Sequence, residues 1–500
     1  DPQALFLIGK ATQAPKLGGG DNTGYRSHTV QDSLVRRLCL VPSFGFPPSD
    51  ARLTLGLSGD PWDLSVPVGR LAAITNDQVL DYLDKVRALE QQQEQPAAWM
   101  KNVLHFRGGF TPQENILFGS YLQAYEDIVE DTTYFSGKVT NFVKNPDQII
   151  SQAAADSVYN LIEEGVTLMT FYAHASGGGF DITIDQPGNY QWNGRHPLVI
   201  GNSCYTGNLH LPSNASASEQ FVLAPGAGAI AFLASIDLGV TGYLYNMTSN
   251  FYQSFTEVNY GGSIGEHMHY LDSAALFVAD PGISVTSGVE QFTLHGDPTV
   301  ILNSPDKPEL EITPLDVRFQ PDPVTADVDS FKVVARVRNI GKGTGAPFSM
   351  AAQRWMLEEN IELQPVLQQH VMQQWEDTVT FTLPVLQDSG GVGLNQVEVR
   401  ADLDPDAIAE YDDQTNNRAS QPLLITTGDL LPVDPFNFAI TSDPAPTLQA
   451  STGDPFAPVR TYVIQIDTTD LYNSPVMEQT TIQAPGGVVS WTPGSIYSLN

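Results

Sequence analysis

Between residue 1 and about residue 303, short apolar runs alternate with longer amphipathic stretches. Ala4–Ile8, Val166–Ala173, Leu198–Ile200 and Ala229–Ala234 are too short for helices and nearly free of polar positions, the pattern of parallel strands buried on both faces. TNDQVLDYLDKVRALEQQQ repeats at helical spacing instead. Leu80, Leu83, Val86 and Leu89 predict one face packed on a sheet, with Thr75 as N-cap and Gln78 closing a capping box. Strands alternating with helices predict an α/β layered domain with a mostly parallel sheet. After NSPDKPEL the texture changes. FKVVARVRNIGKG alternates apolar and polar residues and turns at Gly341, and NQVEVRADLDPDAIAEYDDQTNN ends a strand in an acidic loop. Short strands punctuated by turns predict an all-β sandwich. A further β module starts near Leu431 with TYVIQIDTTDLYNSP and GGVVSWTPG. The expected division is 1–305, 306–428 and 429–500, the last too short to complete a typical sandwich. DPQALFLIG already reads as a strand and GSIYSLN closes no pattern, so the chain is expected to be part of something longer.

Two of the apolar runs stop on reactive side chains. VTLMTFYA is followed by His174, and HPLVIGNS by Cys204. In an open α/β sheet, sites form at the carboxyl ends of the strands. If these two strands are neighbours, both side chains emerge at one edge. A thiol is only a few per cent thiolate at neutral pH, and a nearby imidazole raises its reactivity. Gly177, Gly178 and Gly179 leave room for a substrate backbone, and N–H groups after the histidine and at the cysteine can hold an oxyanion. The competing reading is a His and a Cys with no shared role. Two such ligands do not make a zinc site. Glu266, His267 and His269 in EHMH look metal-like, but residues two apart on a helix point away from each other. His295 in LHGDPTV reads as serving a turn, and Cys39 in VRRLCLVPSF as a small buried hydrophobe.

Charge narrows the classes. With 24 Lys+Arg against 57 Asp+Glu, the formal net charge is −33. Such a surface repels phosphates, so no nucleic-acid partner is expected. It suits an extracellular protein in saline surroundings, where salt screens self-repulsion. No apolar stretch reaches the ~18 residues of a transmembrane helix. Two cysteines make no disulfide framework. Asp402, Asp404 and Asp406 in DLDPD offer hard oxygen ligands at alternate positions, as calcium loops do. The alternative there is a solvated acidic turn.

The first part of the chain resembles the gingipain-type cysteine peptidases of the caspase–haemoglobinase clan. LFLIGKA resembles the family's opening strand and PPSD its turn. VPVGRLAAITNDQVLDYLDKVRALE is similar to its Gly-Arg segment and following helix. FYAHA resembles the strand that ends on the catalytic histidine, NSCYTGN the loop that carries the nucleophile, and LHGDPTV the closing segment. The resemblance implies a caspase-like fold, Cys204 as nucleophile, His174 as general base and later acid, and the backbone N–H groups of Ala175 and Cys204 as oxyanion donors. No cofactor is required for such chemistry, with calcium as a structural ion only. There are two departures. The family has glycine where this chain has Ala175, which keeps the N–H. It has an acidic residue before a double glycine, where HFRGGF places Arg107. A cation there disfavours imidazolium, and it can depress a thiol pKa or bind a substrate carboxylate. The histidine's orienting partner is left open, and no counterpart of the acid that confers arginine preference is found.

The later stretches resemble an adhesion-type immunoglobulin-like module and the continuation seen in sortase-like peptidases of the type IX secretion system. That resemblance implies a protein on the outer-membrane surface of, or secreted by, a Gram-negative, Bacteroidota-like bacterium. Its partners would be protein substrates, secretion machinery and the sorting domains of cargo. Three functions follow: a sortase-like cysteine endopeptidase, a non-catalytic surface scaffold that keeps a degenerate peptidase fold, and a free degradative protease.

Overall fold

The apolar runs of the N-terminal part join one eight-stranded sheet. The structure is a computed structural model that describes residues 3–12, 33–43, 45, 47–59, 63–144, 152–176, 179–180, 186–212, 216–276, 282–403, 407–412, 415–427, 430–436, 438–443, 445–453 and 455–494. In chain order the strands are β1 (Leu5–Ile8), β2 (Val68–Leu71), β3 (Asn102–Gly108), β4 (Lys138–Lys144), β5 (Leu168–Ala173), β6 (Leu198–Asn202), β7 (Ala231–Ser235) and β8 (Phe292–His295). Across the sheet they lie β1-β2-β8-β7-β6-β5-β3-β4. Every neighbouring pair is parallel except β7 with β8. The sheet is thus mostly parallel, with β1, β2 and β8 running against the other five strands.

Helices cover both faces: α1 (Asn76–Gln92), α2 (Pro112–Val129), α3 (Gln152–Glu164), α4 (Ala217–Val222), α5 (Thr241–Gln253), α6 (Ile264–Leu276) and α7 (Ile283–Gln291). Strand side chains alternate between the faces. Val103, Leu168, Leu198 and Leu233 pack with Phe118 and Leu122 of α2 and Met247 and Phe251 of α5. Leu104, Met169, Val199 and Phe232 pack on the opposite face with Tyr82 of α1, Ile162 of α3 and Phe221 of α4. Burial on both sides explains why these strands carry unbroken apolar runs.

Helix α1 forms where its periodicity predicts, but its buried face is turned. Thr75 caps it, accepting the Gln78 N–H at 3.3 Å, whereas the Gln78 side chain takes the N–H of Ile74 at 2.8 Å and not that of Thr75. Tyr82, Lys85 and Leu89 are buried, while Leu80 and Leu83 are exposed. The stripe that meets the sheet runs through Tyr82, Val86 and Leu89, and Leu80 and Leu83 lie to one side of it at about 100° per residue. Lys85 belongs to the buried stripe because its ammonium has acceptors there. It donates to the carbonyls of Val222, Ala227 and Ala229 at 2.6, 3.1 and 3.0 Å, at and beyond the carboxyl end of α4. The Val222 carbonyl is one of those that a helix end leaves unpaired.

Burial lowers His105 and His295 to about 3, and His196, His210 and His267 to about 4. All five are therefore neutral in the fold at pH 7. In the unfolded chain each takes a proton near pH 6.5. Their folded pKa values lie below the unfolded one, so the stability involved is fully present above about pH 6.5 and is lost as pH falls toward about 4. Each contributes up to ~1.4 kcal/mol per pH unit within that window. The urea midpoint is expected to drop steeply from pH 6.5 to pH 4, and His196→Gln to flatten the drop. A midpoint that does not change across the window contradicts the neutral assignment.

Beyond this sheet the chain is antiparallel β, as the alternation predicts. Leu310–Glu311, Val317–Gln320, Ser330–Asn339 and Glu376–Pro384 form one sheet; Phe348–Met356, Ile361–Glu362, Val366–His370, Gly393–Ala401 and Arg418–Ile425 form a second. Val333, Val337, Phe381, Val397 and Val399 from the two sheets share one core. Leu430–Asp434, Leu448–Thr452 and Val488–Trp491 make a three-stranded sheet, and Arg460–Ile466 pairs with Glu478–Ala484. The sandwich meets the turns that follow α2 and α5. Gly343 donates to the Tyr134 carbonyl at 2.5 Å, and Lys342 Nζ lies over the rings of Tyr134 and Tyr260 at 5.0 and 5.4 Å.

Candidate active site

Tyr172 of β5 is in register with Asn202 of β6. Two residues further along each chain stand His174 and Cys204. Contacts place both on the face occupied by Tyr172 and Asn202: His174 meets Phe110 and Phe118 on the α2 side, and Cys204 meets Gly239, which packs against Leu244 of α5. That face is covered by α2 and α5: the Tyr172 ring lies 4.8 Å from that of Phe118, and Asn202 Oδ1 accepts from Thr248 at 2.7 Å. Neighbouring strands are about 4.8 Å apart. The condition set by the sequence is met, because the strands are neighbours and the two positions leave the same edge.

The imidazole of His174 lies flat on Phe110, with ring centres 3.9 Å apart and planes 2° from parallel. Its Nε2 is 3.4 Å from Oε2 of Glu114, without the alignment of a hydrogen bond. The same oxygen accepts the N–H groups of Phe110 and Thr111 at 2.9 and 3.1 Å, and Thr111 Oγ1 accepts the Glu114 N–H at 3.2 Å. This is the capping box that starts α2. Slight burial tends to raise the Glu114 pKa, but the Phe110 N–H and the imidazole outweigh it and hold the carboxyl below its usual value. The double glycine makes the arrangement possible. A Cβ on Gly109 would lie 2.9 Å from both the Asn115 nitrogen and the Glu114 Cβ, so only glycine lets the first turn of α2 close on the end of β3.

Cys204 sits in a tight turn. Ser203 donates to Gly201 at 3.0 Å, Tyr205 to Asp237 at 2.9 Å and Gly207 to Ser235 at 3.0 Å. Tyr205 is in the left-handed region at φ 63, a conformation that costs a non-glycine residue on the order of 1 kcal/mol. The half-buried Sγ accepts the N–H of Gly239 at 3.4 Å and lies 3.9 Å from that residue's carbonyl. A Cβ on Gly239 would stand 2.8 Å from the Ser203 carbonyl oxygen and 2.6 Å from Leu244 Cδ1.

Arg107 is in register with Tyr172, and its guanidinium lies against Gly119 of α2, where a Cβ would be 1.9 Å from one terminal nitrogen. The carboxylate facing the histidine thus comes from Glu114, further along the chain and not from the position of Arg107. The sequence signal for it was Thr-Pro-Gln-Glu, a capping box directly after the glycines. Ala175 opens a short hairpin and is in register with Phe180. Gly177 and Gly178 lie outside the described residues.

The other candidates go elsewhere. Glu266 accepts the Ser263 N–H, His267 bonds Ser254 and His269 bonds the Leu64 carbonyl, each serving the fold separately. His295 serves no turn: it is buried at the end of β8, where Nε2 accepts the Ala72 N–H at 3.1 Å. Cys39 is half-buried and not fully buried. Asp402 accepts the Ile408 N–H at 3.1 Å, and Asp404 and Asp406 lie outside the described residues. Among the described residues no three His, Cys, Asp or Glu side chains are grouped to hold a metal, and no helix is long and apolar enough to cross a membrane.

A mostly parallel, helix-flanked sheet of this kind is a caspase-like fold. Residues 1–303 match the model of peptidase family C25, and the chain belongs to that family, the gingipain family of cysteine peptidases. Among solved structures, the Arg-specific cysteine proteinase gingipain R (RgpB) is 12% identical over 77% of this chain and 81% of its own, with a TM-score of 0.44. The complex of Porphyromonas gingivalis RgpB pro- and mature domains is 12% identical over 77% and 83%, with a TM-score of 0.42. The CARDB domain of a Pyrococcus furiosus protein, solved with di-metal ions, is 18% identical over 24% of this chain and 90% of its own, with a TM-score of 0.18. No curated protein matches the chain.

Proposed function

We propose that the chain is a working cysteine endopeptidase in which Cys204 attacks the scissile carbonyl, His174 moves the proton and Glu114 holds the imidazole. The juxtaposition of His174 and Cys204 at the ends of paired strands, with a carboxylate on the histidine, carries this reading. His174 takes the thiol proton as sulfur bonds to the carbonyl carbon. The N–H groups of Ala175 and Cys204 are assigned to the resulting oxyanion. Collapse of that intermediate breaks the C–N bond, His174 returns the proton to the leaving amine, and a thioester remains. Water or an amine then attacks the thioester, with His174 again as base, and frees the thiol. Arg107, a cation on the face that carries both residues, is proposed to tune their charge balance without entering the bond changes.

We assign the enzyme to the outer-membrane surface or the extracellular space of a Gram-negative bacterium, with a sortase-like role toward cargo proteins. The support is the resemblance of the C-terminal β stretches and the acidic surface. Calcium, if bound in the Asp402 loop, would serve structure only. The scaffold reading rests on Arg107 and Ala175; against it, Glu114 gives the histidine a carboxylate from another position, and Ala175 keeps its N–H. The test is to treat the full chain with an electrophilic peptide probe and map the adduct, with Cys39 as internal comparison. Modification of Cys204 alone, lost on prior alkylation, is expected. Equal labelling of both cysteines sinks the enzyme and favours the scaffold. Added amines that appear in the products separate transfer from hydrolysis.

The fit between Cys204 and the loop after β7 is tested by Gly239→Ala. The new methyl displaces the Ser203 carbonyl, and a shift near 1 Å in a nucleophile costs about 100-fold. kcat/KM is expected to fall by about that factor, with ~1–3 kcal/mol lost in the urea midpoint from overpacking. Unchanged kinetics would show that the contact does not position the sulfur.

A further inference from the structure

A cavity of about 270 Å³ lies between the loop after β7, α5 and α7. Its walls include Gly239, Val240, Tyr243, Leu244, Met247 and Gly288. Gly239 is the residue whose N–H meets Cys204 Sγ. Strand β7 borders β6 on the side away from β5. The cavity therefore flanks the cysteine on the side opposite His174. An imidazole that protonates the leaving amine needs that amine on its own side of the sulfur. The acyl half of the substrate then lies on the other side, where the cavity is.

The walls are chemically selective. Among the described residues no charged residue lines the cavity, whose walls also include Ser235, Ser287 and Gln291. Two nearby acids among the described residues are engaged: Asp237 with the Leu238 N–H and the Tyr205 hydroxyl, Glu290 with Arg52 at 2.8 Å. A lysine or arginine side chain buried there would lose its hydration with no counter-ion, which is strongly unfavourable. An apolar side chain meets the part of the wall made by Leu238, Val240, Leu244 and Met247, while Ser235, Ser287 and Gln291 form its polar part.

A second observation points the same way. Gly288 lies inside α7, where glycine costs ~1 kcal/mol relative to alanine. A Cβ there would come no closer than 3.9 Å to Tyr243 and 4.0 Å to Met247 Sδ, ordinary contact distances. Packing does not demand glycine at this position. Its effect is to keep the cavity open.

We propose that this cavity receives the side chain of the residue whose carbonyl Cys204 attacks, and that it selects a bulky uncharged residue such as Leu, Met or Phe over Arg or Lys. This rests on the peptidase reading above.

The test uses the full chain and peptidyl acyloxymethyl ketones that differ only in the residue bearing the ketone, with the rate of Cys204 labelling read by mass spectrometry. Leu, Met and Phe probes are expected to react at least ~10-fold faster than Arg, Lys or Ala probes. Gly288→Leu fills the space and is expected to bring the Leu probe down to the Ala rate, with an equal or higher thermal midpoint. Val240→Asp puts a carboxylate at the exposed N-cap of α5, where Asp is favoured, and is expected to raise the Arg rate relative to Leu by ~10-fold or more. An Arg preference in the unaltered chain, or a Leu rate untouched by Gly288→Leu, overturns the assignment of the cavity and leaves the peptidase reading standing. Peptide probes that label Cys204 no faster than iodoacetamide overturn the peptidase reading, and the cavity's role with it.

Discussion

Cys204→Ala is expected to lower kcat/KM by on the order of 10⁴-fold or more, because removing a covalent nucleophile leaves only binding and oxyanion contacts. The change deletes one sulfur from a half-buried site whose contacts are the N–H and carbonyl of Gly239. The expected loss of stability is therefore small, ~1 kcal/mol or less. A structural cysteine predicts the opposite ratio, with measurable destabilisation and little kinetic effect. Parallel measurement of kcat/KM and of the urea midpoint separates the two, and activity retained in the variant removes Cys204 from the chemistry.

Glu114→Gln comes next in size. Glutamine closes a capping box as glutamate does, so the N–H groups of Phe110 and Thr111 keep an acceptor. What disappears is the negative charge beside His174, together with an acceptor fixed in one orientation. In a triad of the same logic, the carboxylate-to-amide change costs about 10⁴-fold in turnover. The gap between Nε2 and Oε2 is 3.4 Å here, so the coupling is looser and a loss of ~10²–10³ is expected. Stability should change little in Glu114→Gln, whereas Glu114→Ala should lose a further ~1 kcal/mol as the cap fails. If Gln and Ala variants lose activity only in proportion to their loss of stability, Glu114 is a helix cap and nothing more.

The sequence made part of this site legible and hid the rest for physical reasons. His174 and Cys204 could be read because each ends an unbroken apolar run, and such runs mark buried parallel strands whose carboxyl ends carry chemistry. Whether those strands touch depends on pairing between residues far apart, which no local pattern carries. The reversed trio β1, β2 and β8 was hidden for the same reason. Glu114 was missed because its local role, capping a helix, is complete in itself, and its second role exists only once β3 and β5 are paired. Leu80 and Leu83 share the helical spacing but not the phase of the buried stripe around α1, and Lys85 takes an inward position because the carbonyls of Phe221, Val222, Ala227 and Ala229 accept from its ammonium. His295 sits beside a glycine turn in sequence, but its ring points back into the sheet. Gly239 and Gly288 carry no pattern at all. Only the space around them shows why a side chain is missing.

One oxygen of Glu114 serves two backbone amides of a helix start and one ring nitrogen. Fraying of the first turn of α2 and disengagement of the histidine are therefore a single event, and the folding of that turn is linked to the readiness of the site. Linkage is reciprocal. A substrate that orders the imidazole must also protect the Phe110 and Thr111 amides from hydrogen exchange, and a partner that grips the start of α2 from outside must, without touching the cysteine, raise the fraction of molecules able to react.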